Sequence, residues 1–137
     1  MIALTAMVTC GLVTAQAADT TLTLACQGTT TAGMEDAKPE QISMGLIVNF
    51  TKMTVHGFVD PFFGEPPIKI TGITETSVSF GIVDDKYLQI MSRSVMGAID
   101  RVTGDVWADF TSSNTKTGKT VTSTSYALKC RPTQRMF

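Results

Sequence analysis

Few side chains in this sequence carry the chemistry of a catalyst. There is one histidine, His56, and there are three cysteines, Cys10, Cys26 and Cys130. His56 lies between Val55 and Gly57 with no Cys or Asp at a metal-ligand spacing, so it reads as a solvated or hydrogen-bonded strand residue. A Ser–His–Asp triad would have to recruit its other members from positions that no motif marks. Gly118-Lys119-Thr120 ends like a phosphate loop, but Ser113 stands where the first glycine is required and the segment reads as a hairpin. Asp84, Asp85, Asp100, Asp105 and Asp109 fall in or near turns, where aspartate bonds its own backbone, and none sits in a calcium-loop pattern. A glycosidase would need two carboxylates at a defined separation, which nothing in the spacing specifies. The expectation is a protein that is not an enzyme and uses neither metal nor cofactor.

Two features suit recognition instead. Asp60-Pro-Phe-Phe-Gly-Glu-Pro-Pro67 places Phe62 and Phe63 between prolines, which lower the entropy cost of presenting the rings to a partner. The same rings could fold back and plug one end of a barrel. Trp107 alternates with Asp105 and Asp109 rather than with the apolar face, which marks an outward contact site unless a bulge turns it inward. The basic tail from Lys129 to Phe137 reads as solvated.

These residues need a frame, and the N-terminus indicates where it is built. Residues 1–17 carry no charge, are short for a bilayer span and end in Ala15-Gln16-Ala17. Small residues at −3 and −1 suit signal peptidase, so residues 1–17 are expected to be a signal peptide and 18–137 the single mature domain. The usual basic n-region is missing, and no lipobox precedes Cys10. Export places the protein in the periplasm or outside the cell, where Cys26 and Cys130 are expected to form a disulfide. Closing so long a loop stabilises a fold by about 4–5 kcal/mol in the chain-entropy model. Eleven basic and twelve acidic residues give a formal charge of −1, too weak a field to hold nucleic acid or an anionic membrane. No further apolar stretch is long enough to span a membrane as a helix. The terminal Phe137 raises an outer-membrane barrel, but only residues 42–50 approach the apolar alternation such strands require.

Period two dominates the rest. Leu22, Leu24 and Cys26 share a face, as do Ile42, Met44, Leu46, Val48 and Phe50. Val55 and Val59 flank Gly57 on one side, which leaves His56 with Thr54 and Phe58. The pattern continues through Ile68 and Ile70, through Val78, Phe80 and Ile82, and through Leu88, Ile90, Val95 and Ile99. It ends with Val106, Ala108 and Phe110, then Tyr126, Leu128 and Cys130. Asp100–Gly104 and Asn114–Lys119 each place a glycine where a hairpin needs positive φ. Residues 32–41, with Pro39, read as a loop, and the sequon Asn49-Phe50-Thr51 lies within a strand. The expected fold is all-β: about eight antiparallel strands in an up-and-down meander closing as a small barrel, with a β-sandwich as the alternative. Closure would bring the first and last strands together, where Cys26 and Cys130 lie.

Gly97-Ala-Ile-Asp-Arg-Val-Thr-Gly104, Thr117-Gly118, Ser125-Tyr-Ala-Leu-Lys-Cys-Arg-Pro132 and the earlier Leu24-Ala-Cys-Gln-Gly28 form one pattern. It resembles small exported proteins of soil alphaproteobacteria. That resemblance implies export and a bacterial periplasm, and carries no activity. Lipocalins and periplasmic lysozyme inhibitors are architectural analogies only, since the Gly-x-Trp signature of the former and the Ser-rich loop of the latter are absent. The expected function is binding by a monomer, either of a small apolar ligand in the barrel or of a protein at its loops. The alternative is inhibition of a secreted or periplasmic hydrolase through the loop at 60–67.

Overall fold

The computed structural model describes residues 20–33, 37–59, 65, 68–84 and 90–133. Residues 1–17, Phe62, Phe63, Asp85 and Leu88 lie outside that set. Eight strands follow in chain order: β1 Thr21–Ala32, β2 Glu40–Asn49, β3 Thr54–His56, β4 Ile68–Ile73, β5 Ser77–Asp84, β6 Met91–Asp100, β7 Asp105–Asn114 and β8 Thr120–Pro132. Each pairs antiparallel with its neighbour in sequence, and β1 pairs with β8, so the meander closes into an eight-stranded barrel rather than a sandwich. Closure removes the sheet edges that an open meander would leave exposed.

The closing seam carries the covalent staple. In the β1–β8 register Cys26 stands directly opposite Cys130, and the two form a disulfide with their Cα atoms 4.0 Å apart. Both sulfurs belong to the buried core. The alternation places apolar residues inward and Gln27, Ser43, Lys69, Asp105 and Lys129 outward, the reverse of a lipid-facing barrel wall.

The barrel is filled at its waist. Phe58 lies 5.7, 5.5 and 5.2 Å, ring to ring, from Phe80, Phe110 and Tyr126, and Phe110 and Tyr126 are themselves 5.5 Å apart. Such tilted and edge-on contacts suit the ring quadrupoles and add about 0.5–1.5 kcal/mol per pair beyond the burial itself. Phe58 is not on the face that simple alternation assigns it. Phe58 is fully buried with Val55, whereas Val59 is 59% exposed. The phase reverses at Gly57, whose φ is +121° and whose missing Cβ would sit 2.1 Å from the Gly45 carbonyl oxygen. Only glycine tolerates that backbone and that approach.

The two barrel ends differ. The β2–β3, β4–β5 and β6–β7 connections occupy residues 50–53, 74–76 and 101–104, at the end where β1 begins and β8 finishes. All three are tied by a side-chain oxygen. Asn49 Oδ1 accepts the N–H groups of Thr51 and Lys52 (3.0 and 2.8 Å). Thr74 Oγ1 accepts those of Thr76 and Ser77 (3.3 and 3.0 Å). Asp100 Oδ1 accepts those of Val102 and Thr103 (2.8 and 3.0 Å). These are Asx and Ser/Thr turns, in which the side chain replaces a missing backbone partner. The sequon asparagine Asn49 thus ends β2 and caps its turn. At the opposite end the connections are longer, except for the β7–β8 hairpin, where Asn114 Oδ1 plays the same part for Lys116 and Thr117. Gly104 and Gly118 take the positive φ values, 80° and 67°, that their hairpins require.

Candidate functional site

Toward the longer connections the barrel interior turns polar. Arg93 and Ser112 face each other across β6 and β7 and are 6% and 2% exposed. A buried guanidinium persists only with partners, and Arg93 is partnered. Arg93 was legible in the alternation Met91-Arg93-Val95-Gly97-Ile99, extended one step before the apolar residues that attract notice.

Toward the short turns the interior stays apolar and is not completely filled. A recess of about 230 Å³ opens there, lined by Leu22 and Leu24 of β1, Val48 and Phe50 at the end of β2, Val78 of β5, Ile99 of β6, and Cys130 and Pro132 of β8. Gly104 and two charged residues, Asp100 and Arg101, complete its rim. Each apolar member comes from a strand end held by a capped turn or by the disulfide, so the recess is pre-formed. Sequence alternation marks the apolar residues as core without indicating that they stop short of filling the mouth.

The rim charges are held differently. Asp100 is turned onto its own turn, and the N–H groups of Thr103 and Val102 hold its carboxyl below the ordinary value of 3.8. Arg101 reaches along the rim to the neighbouring β4–β5 turn. Its backbone N–H donates to the Thr76 carbonyl (2.8 Å) and its guanidinium Nη1 donates to the Thr74 carbonyl (2.6 Å). Nearby, the Thr103 hydroxyl and then the Lys129 ammonium lower the Asp105 carboxyl. Asp105 accepts from these groups at 2.8 and 3.0 Å.

The residues singled out by sequence do not converge. His56 is half-exposed on the outer wall, with Nδ1 3.3 Å from Glu65 Oε1. The same carboxylate oxygen accepts the Gly57 N–H at 3.1 Å. The imidazole thus has an orienting carboxylate, which sequence spacing could not indicate because the contact spans a loop. Among the described residues no group of three His, Cys, Asp or Glu side chains is arranged to hold a metal. Trp107 points outward and is 48% exposed, as its alternation with Asp105 and Asp109 requires. It borders a shallow recess of about 400 Å³ over Gly81, Met96 and Ala98. A wider trough of about 720 Å³ crosses the outside of β1, where Thr23, Ala25 and Gly45 leave the wall thin. Gln27, Ser43, Lys129 and Arg131 also line it. The Gly118-Lys119-Thr120 segment is the closing part of the β7–β8 hairpin, which excludes a phosphate loop there.

Fold and site together describe an antiparallel barrel packed at its waist, with an apolar recess at the short-turn end. Compared with known proteins, the chain matches no family model, no curated protein and no solved structure.

Proposed function

We propose that this chain is a non-enzymatic, exported binding protein, monomeric in the periplasm or outside the cell, that takes a small apolar molecule into the mouth of its barrel. One observation carries the reading: the recess of about 230 Å³ is walled almost wholly by apolar side chains and framed by tied turns. Concave apolar sites with a few fixed polar groups are the usual form of small-molecule sites. At this volume the ligand is smaller than a drug-sized molecule, whose sites span roughly 300–1,000 Å³. The disulfide between Cys26 and Cys130 suits an oxidising compartment, as does the likeness of the C-terminal pattern to exported bacterial proteins. The test is titration of the oxidised protein with 1-octanol, followed through methyl NMR signals. Saturable shifts confined to Leu22, Val48, Val78 and Ile99 support the reading, and their loss in Leu22→Trp, which blocks the mouth, supports it further. Absence of saturable shifts in the wild type overturns it.

A second reading, recognition of a protein such as a hydrolase to be inhibited, is favoured by the outward face around Trp107. There Met96 and Val83, on the two strands beyond it, are 62% and 69% exposed. Retention of hydrolase binding after Leu22→Trp, with loss after Trp107→Ala, distinguishes it from the first.

A further inference from the structure

Building on the mouth as a small-molecule site, we infer that it selects amphipathic monocarboxylates, with Arg101 holding the carboxylate at the rim and the tail lying inside. Among the described residues the recess offers no interior side-chain partner for a polar head, because its floor is formed by Leu24, Val48, Val78 and the buried Cys130. A head group therefore stays at the rim, where desolvation is least costly. Among the described residues two charged ones line that rim, Asp100 and Arg101. Asp100 is a carboxylate fixed on its own turn, where Oδ1 accepts the Val102 and Thr103 amides at 2.8 and 3.0 Å, so it offers an anion no hydrogen-bond donor. Arg101 is available. One guanidinium nitrogen donates to the Thr74 carbonyl at 2.6 Å, and among the described residues Arg101 makes no ion pair.

A guanidinium carries five N–H donors in a planar fork. With one donor fixed to the turn, the fork is oriented and still has donors for a carboxylate, a charge-assisted pairing stronger than a neutral hydrogen bond. Because Arg101 is anchored at both its backbone N–H and its guanidinium, less rotamer freedom is lost on binding. The size of the tail follows from the volume. At about 30 Å³ for each water-sized group, the recess of about 230 Å³ holds seven or eight such groups, the scale of a medium-length hydrocarbon chain. An alkylammonium of the same length would meet Arg101 with like charge, and an alcohol would gain the tail contacts alone.

The experiment compares octanoate, 1-octanol and octylammonium by calorimetric titration of the oxidised full-length protein, wild type against Arg101→Gln and Arg101→Lys. Octanoate is expected to bind the wild type roughly tenfold more tightly than octanol, the scale of one charge-assisted pair at an exposed rim, and octylammonium more weakly than either. Arg101→Gln is expected to bring octanoate down to the octanol level while octanol affinity holds, which also shows that the variant is folded. Arg101→Lys is expected to keep part of the preference, since the charge remains without the fork. Equal binding of octanoate and octanol by the wild type, or a preference that survives Arg101→Gln, overturns the inference and leaves the mouth site standing. Failure of all three probes to bind overturns both.

Discussion

Near the short turns the barrel interior holds Leu22, Val48, Val78 and Ile99 around an open recess; near the longer connections it holds Arg93 and Ser112, both buried. The ring cluster of Phe58, Phe80, Phe110 and Tyr126 separates the two. A recess can persist at the first end because its walls do not depend on being filled. Three side-chain-capped turns and a disulfide hold the strand ends in place, so little is gained by collapse. At the polar end the buried guanidinium keeps its partners, because a buried charge without them is costly. The contrast supports placing the proposed ligand site at the end held by capped turns and the disulfide.

The largest break in this contrast comes from removing the staple. Cys26→Ala with Cys130→Ala is expected to lower stability by about 4–5 kcal/mol, given a sequence separation of 104 residues and the chain-entropy model. Urea unfolding of the variant against the oxidised wild type measures it. A loss below about 1 kcal/mol would show that β1–β8 pairing alone closes the barrel. Next comes the divider: Phe58→Ala leaves a cavity at the waist and is expected to cost about 3–5 kcal/mol in the same assay. This variant is also expected to join the mouth to the waist and to admit longer alkyl chains than the wild type does.

Two smaller effects sharpen the picture. Asp100 and Asp105 have carboxyls held below the ordinary 3.8 in the folded chain. Their contribution to stability is therefore fully present above that value and lost as the pH falls through the lowered values. Melting temperature is expected to fall on acidification below about pH 4, and less steeply in Asp100→Asn; parallel acid profiles would show that the short turns do not depend on this cap. The smallest expected effect is at the outer wall. Trp107→Ala should change stability by about 1 kcal/mol or less, because the indole is half-exposed. Being the single tryptophan, Trp107 should also be accessible to an aqueous quencher of its fluorescence. A buried, unquenched emission would place it inside the wall and remove the outward face from consideration.

Much of the frame is legible in the residues themselves. Alternation from Ile42 to Val48 identifies an inward face, and the same count places Trp107 outward, because successive side chains on a strand alternate sides whatever surrounds them. Alternation misplaced Phe58, since Gly57 adopts a backbone that no period describes and its partner Gly45 lies on another strand. Arg93 was readable as inward-facing, but its burial was decided by β7, which sets Ser112 opposite it. The link between His56 and Glu65 ties a strand to the loop after it, and the span of Arg101 to Thr74 ties two separate turns, contacts that spacing alone cannot specify.

By itself the sequence determined the strand faces, the glycine-bearing hairpins and two cysteines placed to meet when the meander closed, because each follows from local backbone preference or from topology. The tertiary structure alone decided that a recess stays open at the short-turn end, that Arg101 ties two neighbouring turns of its rim, and that four aromatic rings pack together beyond it. These depend on how side-chain volumes from several strands add up in a closed space, a sum no single stretch of chain contains.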